Sequence, residues 1–273
     1  MVFKRQKLLL ALLDARASPI DEADFHNLLF LYTLDFNRIP RYYDFVPYAG
    51  GRFSFTARAD KQHLIQDDGL LHEGSVWRIT PAGRALARSA PEFALSAAWF
   101  IEHHRDLNGA SLAAAVRSRA GEEAMTAVGS GLLTIGYEGK SLEAYLNQLL
   151  QAGVTLLCDV RRNAFSRKYG FSKSTLATAC TQMGIKYVHL PKLGVAAERR
   201  RQLADAADRD RLFAEYIEYN LPQQRQLLRQ IARWVKEEDQ RVALTCFESD
   251  PDQCHRHCVA AALAAEGLAP THL

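Results

Sequence analysis

Three thiols, three carboxylates, two imidazoles and a guanidinium crowd into one short stretch near the end of the chain, Cys246-Phe247-Glu248-Ser249-Asp250-Pro251-Asp252-Gln253-Cys254-His255-Arg256-His257-Cys258. Such groups serve nucleophilic, acid–base or metal chemistry. The apolar run before them, Arg241 to Cys246, predicts a strand. A helix start is predicted next, with Asp250 as N-cap, Pro251 at the first helical position and Gln253 closing a capping-box-like pair. Cys254 then falls in the first turn, where the helix dipole, the imidazoles and Arg256 favour a thiolate nucleophile. Glu248, Asp250 and Asp252 oppose it, because negative neighbours raise a thiol pKa. The alternative is a structural thiol, and Cys246 is expected to pack beneath the turn.

Three other apolar runs of the C-terminal half also stop at polar residues. Leu132-Leu133-Thr134-Ile135 runs into Gly136-Tyr137-Glu138-Gly139-Lys140-Ser141, Val154 to Cys158 ends at Asp159-Val160-Arg161-Arg162, and Ile185 to Val188 ends at His189-Leu190-Pro191-Lys192. Helical patterns separate them, over Leu142–Ala152, Lys173–Met183, Asp210–Tyr219 and Gln223–Glu237. Alternating strands and helices imply βαβ units and a short parallel sheet flanked by helices. Parallel strands place their carboxyl ends along one edge, where ligands of open α/β sheets sit. Glu138, Asp159, His189, Glu248 and Cys254 are therefore the candidate catalytic set. Glu138 and Asp159 are a possible acid/base pair, or Asp159 anchors an arginine. Tyr137, Arg161, Arg162, Arg167, Lys192, His255 and Arg256 are the candidate substrate- or phosphate-binding set, the alternative for the arginines being a solvated loop.

The N-terminal part is mostly helical. Apolar spacing predicts helices over Lys4–Arg16 and Asp21–Asp35; an aromatic loop, Tyr42–Phe53, precedes a third helix, Phe55–Asp68, capped by Ser54. Leu70 to Thr80 predicts a hairpin turning at Gly74-Ser75, and Thr80-Pro81 starts another helix. This order resembles bacterial winged helix-turn-helix domains. In that reading the third helix enters a major groove with Arg58, Lys61, Gln62 and His63, and Arg52 or Arg78 contacts phosphates. Asp60, Asp67 and Asp68, on or beside that helix, count against strong DNA binding. The alternative is a dimerisation or interaction module. The expected organisation is a winged-helix domain over 1–88, a helical connector over 89–130 ending in a joint at Thr126–Gly131, and an α/β domain over 131–273.

The chain has 273 residues, 48% hydrophobic and 24% charged, the composition of a globular protein. No apolar run approaches a membrane span, and acidic residues interrupt the N-terminal apolar stretch, so neither a membrane segment nor a signal peptide is expected and the cytoplasm is the default. All five cysteines lie after residue 150, an odd number that argues for reduced thiols rather than a disulfide framework. Net charge is +3, and the excess lies in the C-terminal half. That permits a nucleic-acid partner without requiring one.

The four strand-end motifs together, Thr134 to Ser141, Cys158-Asp159-Val160-Arg161 through Ser166-Arg167, His189 to Gly194, and Cys246-Phe247-Glu248 to Cys254-His255-Arg256, resemble the family labelled "domain of unknown function 488" over about residues 132–273. The resemblance implies a fold and a motif set but no reaction. Asp159-Val160-Arg161 also resembles rhodaneses, yet the residues after Cys246 are acidic where an anion cradle needs bare amides and a basic group. No cofactor is predicted. Zinc is weighed and disfavoured, because donors on successive helical positions do not all face one ion. The expected function is a nucleic-acid- or nucleotide-directed enzyme, acting by hydrolytic cleavage or by base or phosphate processing and brought to its polymer by the winged helix. The alternative is a DNA-binding regulator, or a defence or toxin–antitoxin-like protein, whose C-terminal domain senses a ligand or partner without catalysis. Oligomeric state is not legible.

Overall fold

Three hydroxyl side chains decide where helices begin. Ser54 Oγ accepts from the amide of Ala57, Thr80 Oγ1 from Gly83 and Ser141 Oγ from Ala144, each satisfying a first-turn N–H that has no partner within its helix. The computed structural model describes residues 2–36, 41–89, 91–121, 129–196, 199 and 205–273. The chain divides into two units, Met1–Glu123 and Ala124–Leu273.

The first unit contains α1 (Lys4–Arg16), α2 (Glu22–Asp35), β1 (Val46–Tyr48), β2 (Gly51–Phe53), α3 (Phe55–Gln66), α4 (Pro81–Arg88), α5 (Pro91–His103) and α6 (Gly109–Ala120). Its core gathers Leu9, Leu10 and Leu13 of α1, Leu29 and Leu31 of α2, and Trp77, which stacks on Phe25 at 3.9 Å. The antiparallel bridge Ile20 to Trp77 ties the segment before α4 to the segment before α2, and a second, Leu71 to Ile79, closes the segment before α4 on itself as the expected hairpin. The stretch expected as an aromatic loop instead forms the β1–β2 hairpin. Its turn places Ala49 and Gly50 at φ 46° and 77°, the left-handed geometry that matches strand twist, although Ala-Gly is not among the usual hairpin signals. The helices expected as a connector pack here: α5 on α1 and α4, α6 on α2 and β2, burying Phe93, Phe100, Leu112 and Val116. Of the expected joint, residues 126–128 lie outside the described residues.

The second unit contains β3 (Gly131–Gly136), α7 (Leu142–Gln151), β4 (Leu156–Asp159), α8 (Lys173–Gln182), β5 (Lys186–His189), α9 (Ala206–Glu215), α10 (Arg225–Lys236), β6 (Arg241–Cys246), α11 (Arg256–Ala264) and β7 (Pro270–His272). The strands form one sheet in the order β5-β4-β6-β3-β7, every neighbouring pair parallel. This is the expected α/β fold, a short parallel sheet with helices against it. β7 was not expected; it is a three-residue edge strand starting at a proline, which the sheet tolerates only there. Val242 and Leu244 of β6, Leu156 of β4, Ile231 of α10 and Val259 of α11 meet in the core. Between α9 and α10 the chain stays helical with altered pitch, a wider π turn over Tyr216–Asn220 followed by a tighter 3-10 turn over Leu221–Gln224.

The last helix begins later than its sequence signals suggest. Asp250 does act as a cap, accepting from the Asp252 amide at 2.9 Å and the Gln253 side chain at 3.1 Å, but it starts only a 3-10 turn over Pro251–Gln253. Cys254 then returns to extended backbone (φ −132°, ψ 134°), and α11 starts at Arg256. No helix among the described residues is long and apolar enough to cross a membrane.

Candidate functional site

Strand register sets the geometry of the site. Asp159 at the end of β4 pairs with His189 on one side and Thr245 on the other, and Gly136 at the end of β3 pairs with Cys246. The polar ends of four strands thus stand along one edge, and the loops that leave them cross-link. The amides of Tyr137 and Glu138 bond to the Phe247 carbonyl at 3.1 and 2.9 Å, and His189 Nε2 donates to the Arg161 carbonyl at 2.8 Å.

Asp159 and Arg161 form a closed ion pair at the centre. Arg161 Nε donates to Asp159 Oδ1 at 2.9 Å and Nη2 to Oδ2 at 2.5 Å; Nη1 donates to the Tyr137 hydroxyl at 2.9 Å and to the Phe171 carbonyl at 2.8 Å. Tyr187 adds its hydroxyl to Asp159 Oδ2 at 2.6 Å. Both charged side chains are buried. Burial works against the guanidinium charge, and the bonded Asp159 outweighs it, holding Arg161 above its usual pKa. Of the two sequence readings of Asp159, the geometry matches the arginine anchor, and Arg161 has its donors turned inward rather than toward a ligand phosphate.

Glu138 and Arg256 hold the β6–α11 turn. Glu138 Oε2 accepts from the Ser249 amide at 3.0 Å and hydroxyl at 3.3 Å. Arg256 is buried, with Nη1 on the Glu248 carbonyl and Nη2 on the Ser249 carbonyl at 2.9 Å. It is a clamp on backbone, with no face toward solvent. Beneath this turn lie Cys246, Cys254 and His255, all buried, their donor atoms within 4.8 Å of one another. Cys246 Sγ is 3.8 Å from His255 Nδ1 and 3.5 Å from Glu248 Oε2. Because Cys254 precedes the helix in extended backbone, the first-turn dipole argument for a thiolate does not apply. Burial first, then the Cys246 thiol, push its pKa well above the ordinary thiol range. Cys158, Cys180 and Cys258 are likewise raised by burial, Cys258 to about 12.

Two clefts open on either side of Arg162, an exposed side chain just past β4. One, of about 380 Å³, is lined by Arg162, Lys192, Arg199, Tyr216, Asn220 and Gln224 among others; the second, of about 520 Å³, by Arg162, Asn163, Phe165, Lys173, Tyr187 and His189 among others. Neither has a carboxylate among its described lining residues, although Arg199 pairs with Glu215. The loop Arg161–Lys173 has no acidic residue. It is fixed by its own bonds, Lys173 amide to Ala164 carbonyl at 2.8 Å and Ser172 hydroxyl to Ser166 carbonyl at 3.0 Å, with Phe171 stacked on Tyr137 at 4.3 Å. On this rigid frame Phe165 is 70% exposed and Tyr169 47% exposed, with Arg167 exposed between them.

Residues 141–263 match the family model described as "Domain of unknown function DUF488". The C-terminal resemblance read from the motifs is therefore supported, over a narrower span. The DUF488 match takes in β4, β5, β6 and all but the last residue of α11 and with them Asp159, His189 and the Cys246–His255 cluster; β3 with Tyr137 and Glu138 lies before it, and β7 after it. No curated protein matches the chain, and no solved structure does.

Sequence reasoning missed three members of this DUF488-matching site. Tyr187 stands two residues before His189 on β5, and that period of two was the signal that both face the same way. Phe171 and Tyr216 carried none: their places follow from the loop and from the π turn, where the Tyr216 hydroxyl reaches the Leu193 carbonyl at 2.6 Å.

In the first unit the lysine and arginine contacts expected for nucleic acid separate. Arg58 is half-exposed on α3, 3.9 Å from Glu22, and Arg78 is exposed. Lys61, expected to face a groove, is instead buried, with Nζ on Glu22 Oε2 at 2.8 Å and 5.0 Å from the Trp77 ring centre. Arg52 is also buried, its guanidinium 5.5 Å from the Phe30 ring centre. Asp60, counted against DNA binding, faces inward to Arg5, Gln6 and Tyr43.

Proposed function

We propose that the C-terminal unit is a nucleic-acid- or nucleotide-directed enzyme that takes the phosphates of its ligand into the clefts flanking Arg162. One observation carries this reading: the loop that closes the carboxyl edge of β4 sets the exposed ring of Phe165 among Arg162, Arg167 and Lys173 with no carboxylate near it in sequence. Cations that track phosphates, interleaved with aromatic rings on which bases stack, are what single-stranded nucleic acid requires. Guanidinium groups suit phosphate oxygens, and a rigid platform spares the cost of ordering the loop on binding. His189 is the proton-transfer group of the scheme. Its Nε2 donates to a carbonyl, so in the neutral ring Nδ1 is left as an acceptor, the state a general base needs to activate water.

The test is fluorescence anisotropy for binding, and chromatography of the products for turnover, with short single-stranded DNA and RNA and with labelled nucleoside phosphates, on the wild type, Arg162→Ala and His189→Gln. Binding that weakens in Arg162→Ala, with turnover lost but binding kept in His189→Gln, is the expected pattern. Absence of binding by the wild type to every oligonucleotide and nucleotide at low salt overturns the reading.

A second reading rests on the first unit. Its helices, with the Ile20–Trp77 and Leu71–Ile79 bridges before α2 and α4, follow the order of a winged helix, and α3 exposes Arg58, Gln62 and His63. In that reading the protein is a DNA-binding regulator, and Arg58→Ala reduces duplex binding while Arg162→Ala does not.

A further inference from the structure

The buried cluster beneath the β6–α11 turn plays no part in the phosphate scheme, and its chemistry points elsewhere. Cys246 ends a strand, Cys254 sits in extended backbone, and His255 is the residue just before α11. The objection that donors on successive helical positions cannot share an ion therefore does not hold here. The 3-10 turn and the break after it bring two thiols and an imidazole from both sides of the turn to one point.

We propose that Cys246, Cys254 and His255 bind a zinc-class divalent ion, with Glu248 beside the fourth position. With zinc–sulfur bonds of about 2.3 Å and zinc–nitrogen or –oxygen bonds of about 2.0–2.1 Å, tetrahedral ligand atoms stand roughly 3.3–3.8 Å apart, the sulfur-containing pairs at the upper end. Cys246 Sγ lies 3.8 Å from His255 Nδ1 and 3.5 Å from Glu248 Oε2, and the three main donors all lie within 4.8 Å of one another. The donor set of two thiols and one imidazole selects zinc over hard, oxygen-seeking cations.

The imidazole is already oriented for this. His255 Nε2 donates to the Val160 carbonyl at 3.0 Å, which leaves Nδ1 as the acceptor that faces the thiols in the neutral ring, the second-contact arrangement that metal-bound histidines use. The turn itself is held before any ion arrives. Arg256 clamps the Glu248 and Ser249 carbonyls, and Glu138 takes the Ser249 amide. Binding releases both thiol protons to solvent, and the two thiolates neutralise the dication, so the buried part of the site, where Cys246, Cys254 and His255 are each at most 4% exposed, holds no net charge, and the negative charge that remains is that of the half-buried Glu248 carboxylate.

The readout needs no nucleic acid, so it stands or falls separately from the phosphate reading. The full chain is purified under reductant without chelator, and its metal content is measured. The metal-free protein is then titrated with Co²⁺, whose thiolate charge-transfer and tetrahedral d–d bands report the ligand set. About one zinc per chain, and one Co²⁺ with thiolate bands, is expected for the wild type and for Cys258→Ser, which changes a neighbouring buried thiol outside the donor set. Cys254→Ser is expected to lose the equivalent while circular dichroism shows a retained fold. Should that variant not fold, the Co²⁺ spectrum of the wild type still decides. A wild type that takes neither metal, a Co²⁺ spectrum without thiolate bands, a folded Cys254→Ser that keeps its metal, or a Cys246–Cys254 disulfide found under the same reductant overturns the assignment.

Discussion

Asp159 and Arg161, two residues apart in the chain, meet side by side inside the protein, with Arg161 Nη2 2.5 Å from Asp159 Oδ2 and Nε 2.9 Å from Oδ1. The pair is buried, and Tyr137, Tyr187 and the Phe171 carbonyl complete its bonds. Removing one partner strands the other charge away from water, so Asp159→Ala is expected to destabilise the second unit by about 3–5 kcal/mol. Urea unfolding measures it. A variant that keeps its stability and loses only turnover would make Asp159 an acid/base group and not an anchor.

The parallel sheet and its edge were legible because strand ends are marked locally: an apolar run stops and polar residues begin. That local signal placed Asp159, His189 and Cys246 on one edge, as the register shows. What each group does there was not legible, because it depends on partners far along the chain. Arg161 spends its donors on Tyr137 and Phe171, and Lys61 on Glu22, pairings that no spacing rule announces. The start of α11 misled for a related reason. Asp250 and Pro251 are sound helix signals, yet the chain uses them for a single 3-10 turn and then turns Cys254 and His255 inward.

Gly136 and Gly194 are fixed by close approach of other backbone. A Cβ on Gly136 would stand 1.8 Å from the Glu248 carbonyl oxygen, and one on Gly194 1.9 Å from the Arg162 amide nitrogen. Neither neighbour is a flexible side-chain end, so the turn after β6 or the loop after β4 must move. Gly136→Ala and Gly194→Ala are each expected to lower stability by about 1–3 kcal/mol or more. Gly184→Ala is the contrast: φ is +74° but nothing lies within 4 Å, so only backbone strain of about 1–2 kcal/mol applies. Thermal melts of the three variants rank them, and a Gly184 variant worse than both others contradicts the close-approach argument.

Phe165 offers a separation of binding from folding. At 70% exposure its ring adds little to the core, so Phe165→Ala is expected to leave the melting temperature unchanged. On the proposed function it removes a stacking platform worth about 1–3 kcal/mol per base. Arg162→Ala is expected to weaken binding across sequences and to lower the magnitude of the salt slope by about 0.7 for a single strand. Anisotropy titrations at several salt concentrations read both effects, and a Phe165→Ala protein that binds like the wild type removes the stacking contribution from the scheme.

In the first unit, Glu22 couples stability to pH. Its carboxylate accepts from Lys61 Nζ at 2.8 Å, Trp77 Nε1 at 3.0 Å and His26 Nε2 at 3.4 Å. Burial works to raise its pKa, but the bonds from His26 and Lys61 outweigh it and lower the value from an ordinary 4.5 to about 2. The folded state thus holds the proton more weakly than the unfolded chain, and the contribution is fully present above pH 4.5 and lost as pH falls toward 2. His26, buried and lowered below its usual 6.5, destabilises in the same direction when it takes up a proton, so the wild type alone does not isolate Glu22. Comparison with Glu22→Gln does. The variant keeps an acceptor for Trp77 but has no charge for Lys61, so it is expected to be the less stable protein at pH 6, with the gap closing as pH falls through the window between about 4.5 and 2. Urea midpoints for the two proteins at pH 6, 4.5 and 3 measure that gap. A gap that stays constant across the three places the stabilisation in shape and hydrogen bonding and not in the charge of Glu22.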